Sequence, residues 1–171
     1  MTIAISQLFK SSTAQSFRAL VTMLEKAKAH AAEAGAEDAA YLENRLYPDM
    51  HPMKWQVQMI TEFALRGAAR LSGVAADDLP GLPMESDNFD ALIARVKQSA
   101  EDISKADDAL LDAAHDKPIS IPAGPDDVIE FNGNSYVTSF FLPNLHFHVT
   151  TTYALLRAQG VKIGKRDYMG A

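Results

Sequence analysis

Residues 144–151, NLHFHVTT, decide the fold, because they place two of the chain's five histidines two positions apart. On a strand, His146 and His148 would share one face and could bind a metal together. On a helix they would point to different sides, and at most one of them could serve as a ligand. The phenylalanine, valine and threonine residues of this stretch favour a strand.

The sequence on either side favours a helix. Pro143 suits the first helical turn, the run ALLRAQ after Tyr153 is strongly helical, and Gly160 can end the helix. The whole span is also too long for an ordinary strand. The sequence therefore predicts a helix, which argues against a metal site built from both histidines.

On this helix, His148 shares a largely apolar stripe with Leu145, Thr152 and Leu155, whereas His146 lies about 200° away around the axis. The stripe places His148 inside the protein. Two interpretations of it stay open, a core histidine bonded to a neighbouring group or a functional group. His146 is expected at the surface or at a subunit contact.

The rest of the chain contributes three more segments with a helical period and one short segment with strand character. Asn132-Gly133 is a strong signal for a hairpin turn, and residues 136–140 could continue that hairpin. The predicted fold is all-α, a four-helix bundle with a small β-hairpin between helices 3 and 4, in a single domain over residues 1–171. The predicted helices cover 5–34, 52–72, 87–113 and 142–159, the hairpin lies within 117–140, a short helix lies within 37–50, and a loop covers 77–87.

Composition excludes several classes of function. The chain has no cysteine, so disulfides and thiolate metal sites are excluded. Its net charge of −6 argues against nucleic acid or an anionic membrane as a partner. Neither a glycine-rich phosphate loop nor G-x-S-x-G occurs. The first residues lack the apolar core of a secretion signal, and no apolar run is long enough to span a membrane, so we expect a cytoplasmic protein.

Four motifs together resemble a known family: RLYPDMHP at 45–52, QVQ at 56–58, LPNLHFHVTTTYALLRAQGV at 142–161 and IGKRDYMG at 163–170. They resemble a branch of the DinB/YfiT-like four-helix-bundle proteins that is known only as a domain of unknown function. The resemblance covers nearly the whole chain. It implies an up-down-down-up bundle, usually dimeric, in the bacterial cytoplasm, with a tail in which Arg166 and Asp167 pair with the body of the bundle.

Typical members of the wider superfamily resemble metalloenzymes, and several are thiol-dependent transferases. The resemblance implies zinc or nickel held by one histidine on helix two and an H-x-x-x-H pair on helix four. Counted onto this sequence, those positions fall on Gln58, Asn144 and His148. Carboxamide oxygens are weak ligands for these metals. The trio is therefore either a buried polar network or a metal centre with His148 as its ligand.

The leading hypothesis is a small-molecule-binding protein with a degenerate metal site and no cofactor. Its pocket would be lined by Gln58, Asn144, His148 and Tyr153, with Asp49 at the mouth as a general base, unless Asp49 only complements a helix dipole. The alternatives are a metal-dependent transferase or hydrolase that uses zinc or nickel, and a structural or interaction protein. A homodimer is expected in each case, with the region near Trp55 and Met59 as a candidate contact.

Overall fold

Four long helices build the protein. The computed structural model describes residues 3–75, 78–79, 87–124 and 127–170. The long helices are α1 (Ile5–Glu33), α3 (Met53–Leu71), α4 (Phe89–Ser104) and α7 (Leu142–Ala158). Helix α1 packs against α4, α4 against α3, α3 against α7, and α7 against α1, so that the four close into a bundle. This confirms the predicted four-helix fold with a minor β element.

Short elements connect and complete the bundle. They are α2 (Asp38–Leu42), α5 (Asp108–Asp112), strands β1 (Pro118–Pro122) and β2 (Val128–Asn132), the helical turn α6 (Gly133–Ser135), a π-helical segment (Tyr136–Phe141) and α8 (Lys165–Tyr168). Within the described ranges, no helix is both long enough and apolar enough to cross a bilayer. Most of the predicted loop at 77–87 lies outside the described residues.

The predicted helix over 87–113 is wrong at its C-terminal end. The chain leaves the helix after Ser104 and begins α5 at Asp108, because the Asp107 carboxylate accepts a hydrogen bond from the Ala109 amide as an N-cap. The interruption changes the helical register. Leu110 is 46% exposed, whereas Leu111 is buried.

The predicted hairpin is present, but its turn is not at Asn132-Gly133. Strands β1 and β2 are antiparallel, with Ile119 opposite Phe131. Asn132 ends β2 and caps α6 by accepting a hydrogen bond from the Ser135 amide. Gly133 packs directly on Ala114, whose carbonyl oxygen would lie 2.2 Å from an added Cβ atom. The dipeptide thus starts a helix, and residues 136–140 are π-helical, which corrects the strand predicted there.

Helix α7 settles the question raised by its two histidines. Pro143 lies in its first turn, where a missing N–H is tolerated. His146 is exposed, whereas His148 is only 6% exposed, which confirms the helical prediction and the inward position of His148. The tail also packs back, since Lys26 of α1 pairs with Asp167 of α8 at 2.6 Å. Arg166 is exposed.

Candidate functional site

A hydrogen bond across the α3–α7 interface fixes the imidazole of His148. Its Nδ1 lies 2.8 Å from Oε1 of Gln56. The other end of the Gln56 amide donates through Nε2 to the His51 carbonyl at 3.1 Å, which sets the direction of the amide. Because an amide oxygen only accepts, Nδ1 of His148 must carry the proton. Nε2 is then left with a free lone pair.

Aromatic rings surround this imidazole. Phe63 stacks on His148 with ring centroids 5.6 Å apart, while Trp55 at 5.6 Å and Phe147 at 5.1 Å meet it edge to face. His51 in turn stacks on Trp55, with ring centroids 3.9 Å apart. The His148 imidazole is therefore packed among aromatic rings and is poorly hydrated.

The surroundings keep His148 neutral. Burial is the main cause that lowers its pKa, to about 4, and the nearby His51 imidazole lowers it further. At neutral pH the ring therefore carries no charge, and Nε2 can accept a hydrogen bond. Within the residues that the structure describes, Nε2 has no hydrogen-bond partner.

The donor groups here do not fit the divalent metal of typical superfamily members. Zinc and nickel favour several imidazole, thiolate or carboxylate ligands around one point. Nδ1 of His148 is already engaged by Gln56. In the described part of the chain, no three histidine, aspartate or glutamate side chains are grouped so that they could hold a metal ion.

The structure separates the other residues predicted for the site. Gln58 is buried on α3, but the glutamine that bonds His148 is Gln56. Asn144 lies one turn before His148, and its amide nitrogen donates back to the Phe140 carbonyl at 2.7 Å. The remaining two, Tyr153 and Asp49, lie elsewhere on the surface.

Tyr153 is half-buried and meets Tyr168 of α8 edge to face at 5.9 Å, where both line a shallow groove with Thr150 and Lys165. Asp49 is exposed in the connection before α3. Of the predicted trio, only His148 is thus at the centre of the aromatic cluster.

Sequence reasoning missed Gln56, His51 and Phe63 as neighbours of His148. A signal for Gln56 existed in the helical spacing of α3. It lies three residues after Met53 and four before Ile60, two fully buried residues, so it had to lie close to the buried stripe. His51 and Phe63 carried no comparable signal, because their roles depend on how α3 and α7 are placed against each other.

Comparisons with known proteins agree with this fold. The family model described as "Domain of unknown function (DUF1993)" matches residues 7–169. A crystal structure of a DinB family member protein from Shewanella denitrificans is similar to 97% of this chain and 92% of that chain, at 28% sequence identity and a TM-score of 0.87. No curated protein matches the chain. The resemblance predicted from the motifs is confirmed.

Proposed function

The chain belongs to the DUF1993 family and has a DinB-like fold, and we propose that it is a small-molecule-binding protein whose ligand is held at His148. The observation that carries the proposal is the single tautomer of this neutral imidazole. Gln56 orients one nitrogen and leaves the other able to accept a hydrogen bond. The Gln56 bond satisfies Nδ1, so the proposal rests on Nε2, which has no hydrogen-bond partner within the described residues.

The surroundings of Nε2 indicate the chemistry of the ligand. A neutral imidazole accepts from an O–H or N–H group but does not attract an anion. The rings of Trp55, Phe63 and Phe147 favour a flat apolar body beside that donor. The ligand class that fits is therefore a neutral ring compound with one hydrogen-bond donor.

The residues predicted from the motifs remain proposed secondary contacts. Asn144 is the best placed of them, one helical turn before His148. Tyr153 and Asp49 have weaker support because they lie elsewhere on the surface, and Gln58 has weaker support because the glutamine that bonds His148 is Gln56.

Phenol tests the proposal, because it joins a neutral donor to an apolar ring. Trp55 is the only tryptophan of the chain and its ring lies 5.6 Å from His148, so its fluorescence reports on the site. We expect phenol to change this fluorescence in a saturable way and to shift the 15N resonance of His148 Nε2. His148→Ala should remove the response, and His146→Ala, on the exposed side of α7, should keep it. A response of equal size in His148→Ala would refute the proposal.

A metal-dependent transferase or hydrolase is the second candidate. It is favoured by one observation: Nε2 of His148 is unprotonated, which is the form of imidazole that binds metals. Protein purified without chelator would then contain zinc or nickel in a near one-to-one ratio, measured by plasma mass spectrometry, and His148→Ala would lose it. Substoichiometric metal that is unchanged in the variant would leave the binding protein as the sole candidate.

We also propose a cytoplasmic homodimer without a nucleic-acid or membrane partner. The net charge of −6 supports the absence of an anionic partner. Trp55 and Met59, predicted near the dimer contact, are half-buried. Leu46 and Phe147 are more exposed, at 45% and 58%, and line one groove together. Light scattering at micromolar concentration tests the dimer, and a monomer mass would contradict it.

A further inference from the structure

A separate cavity of about 400 Å³ lies between helix α3 and the β-hairpin. Glu62, Arg66 and Arg70 of α3 line it together with Phe63 of the same helix. Ile121 of β1 and Phe140 of the π-helical segment belong to its apolar wall. Its polar groups come from one face of α3, because positions spaced four apart lie one above the other on a helix.

The charges in this cavity do not balance. Arg66 pairs with Glu62 at 2.9 Å. Arg70 has no carboxylate partner within the described residues, which leaves one positive charge uncompensated. In a chain with a net charge of −6, such a cation would ordinarily find an acidic neighbour. The cavity therefore favours an anion with a single charge.

Three buried hydrogen-bond donors have no acceptor among the described residues, and two of them belong to side chains that line this cavity. They are Nε of Arg66, Nε of Arg70 and the phenol of Tyr136. Tyr136 is fully buried, and burial raises its pKa despite the opposing effect of Arg70, so the phenol stays protonated at neutral pH. The Arg70 guanidinium approaches this phenol, but the two groups do not meet the geometry of a hydrogen bond. Buried donors are usually paired, so the unpartnered donors of Arg66 and Arg70 indicate that a ligand could supply the acceptor.

A purely structural role for Arg70 is less well supported. An arginine that anchored the hairpin would donate to a carbonyl of β1 or β2. Within the described ranges, the Arg70 side chain makes no hydrogen bond to either strand, and its Nε is unpartnered. Arg70 also lines a second cavity, of about 340 Å³.

We propose that the cavity between α3 and the hairpin binds a small monocarboxylate with an apolar body. The planar carboxylate would accept from N–H groups of the Arg66 and Arg70 guanidiniums, whose planar donor geometry and charge both suit a carboxylate. The apolar body would pack on Phe63, Phe140 and Ile121. The volume lies in the range of small-molecule sites.

This site is distinct from the one at His148. Phe63 is their common boundary, since it stacks on His148 and also lines the cavity. The two sites nevertheless select opposite ligands, a neutral donor at Nε2 of His148 and an anionic acceptor at the arginines. Failure of one proposal therefore leaves the other standing.

Benzoate is the probe, and isothermal titration calorimetry of the full chain is the measurement. We expect saturable binding of benzoate at millimolar concentration, and much weaker binding of methyl benzoate, which has the same ring without the charge and without a hydrogen-bond donor for His148. Arg70→Met should weaken benzoate binding roughly ten- to hundredfold, the usual effect of losing a charged hydrogen bond. Arg18→Met, which removes an exposed charge on α1, should leave it unchanged.

Several results would overturn the proposal. They are no benzoate binding by the wild type, equal binding of methyl benzoate, and displacement of benzoate by inorganic phosphate at equal concentration, which would indicate an anion site that does not use the apolar wall. Circular dichroism checks that each variant folds. If Arg70→Met does not fold, Arg66→Gln carries the same expectation, and unchanged affinity in a folded variant of either arginine would refute the site.

Discussion

His148 and Gln56 are 92 positions apart in the sequence, yet their Nδ1 and Oε1 atoms lie 2.8 Å from each other at the α3–α7 interface. The bond joins the two helices that carry the site. The Gln56 amide also donates a hydrogen bond to the His51 carbonyl, just before α3 begins. One glutamine thus sets both the tautomer of the imidazole and the local geometry of the chain before α3.

Replacement of this glutamine should destabilise the protein. Gln56→Ala leaves the buried N–H of His148 without its acceptor, which costs about 1–3 kcal/mol of the free energy of unfolding. Urea denaturation measures the loss. Gln98→Ala, which removes an exposed amide on α4, should change stability by no more than about 0.5 kcal/mol. Equal losses in the two variants would mean that the His148–Gln56 bond contributes little.

The pKa of His148 makes stability depend on pH. Its value of about 4 in the folded protein is below the ordinary 6.5, so between these values the unfolded chain binds more protons than the folded one. Stability is therefore highest above pH 6.5, falls as the pH drops towards 4, and levels off below. The contribution is at most about 3 kcal/mol.

Urea denaturation at several pH values between 7 and 4 detects this loss. His148→Asn should flatten the profile in this range, while His146→Asn, at an exposed position of the same helix, should follow the wild type. His51 is exposed and stacks on Trp55, so His51→Asn separates any contribution of its own. A wild-type slope that persists in His148→Asn would contradict the assignment.

The close packing of Gly133 on Ala114 predicts a strong effect of a single methyl group. Gly133→Ala would place Cβ 2.2 Å from the Ala114 carbonyl oxygen, and overpacking of this kind costs about 1–3 kcal/mol or more. Gly164→Ala is the matched control, because its added Cβ meets nothing within 4 Å. Thermal unfolding should show a clearly lower midpoint for Gly133→Ala alone.

The docked tail should depend on Asp167 without contributing much to global stability. The Lys26 ammonium and the Gly164 amide both bond this carboxylate and lower its pKa. Asp167→Asn should speed hydrogen exchange at the Gly164 amide and change the free energy of unfolding by less than about 1 kcal/mol, because the pair is at the surface. Asp90→Asn, which breaks the exposed Lys28–Asp90 pair, should leave exchange at Gly164 as it is.

The helices of the bundle could be predicted from the sequence because each long apolar stripe repeats with the helical period. Three of the four predicted helices end within one residue of those observed. The break after Ser104 was missed because the stripe continues through it, while a single carboxylate, that of Asp107, starts a new helix. The hairpin turn was predicted at the wrong place, because Asn132-Gly133 suits both a hairpin turn and the start of a helix with Asn132 as its N-cap.

The site was predicted less completely. The stripe on α7 was enough to place His148 inside, because burial follows from local periodicity. Its partner was assigned to Gln58 by counting from a family pattern, and an error of two residues turns a helical position by about 200°. The aromatic surroundings depend on the packing of α3 against α7, which no local pattern contains.

The π-helical segment Tyr136–Phe141 has a consequence for insertions and deletions in evolution. It runs without a loop into α7, and its wider turns hold an extra residue compared with an α-helix. Loss of one residue there would convert the wider turns into α-helical turns and leave the orientation of α7 nearly unchanged, whereas loss of one residue within α7 before His148 would rotate everything downstream by about 100°. The π-helical segment should therefore accept the loss of a single residue, and the first turn of α7 should not, because His148 would leave its stripe.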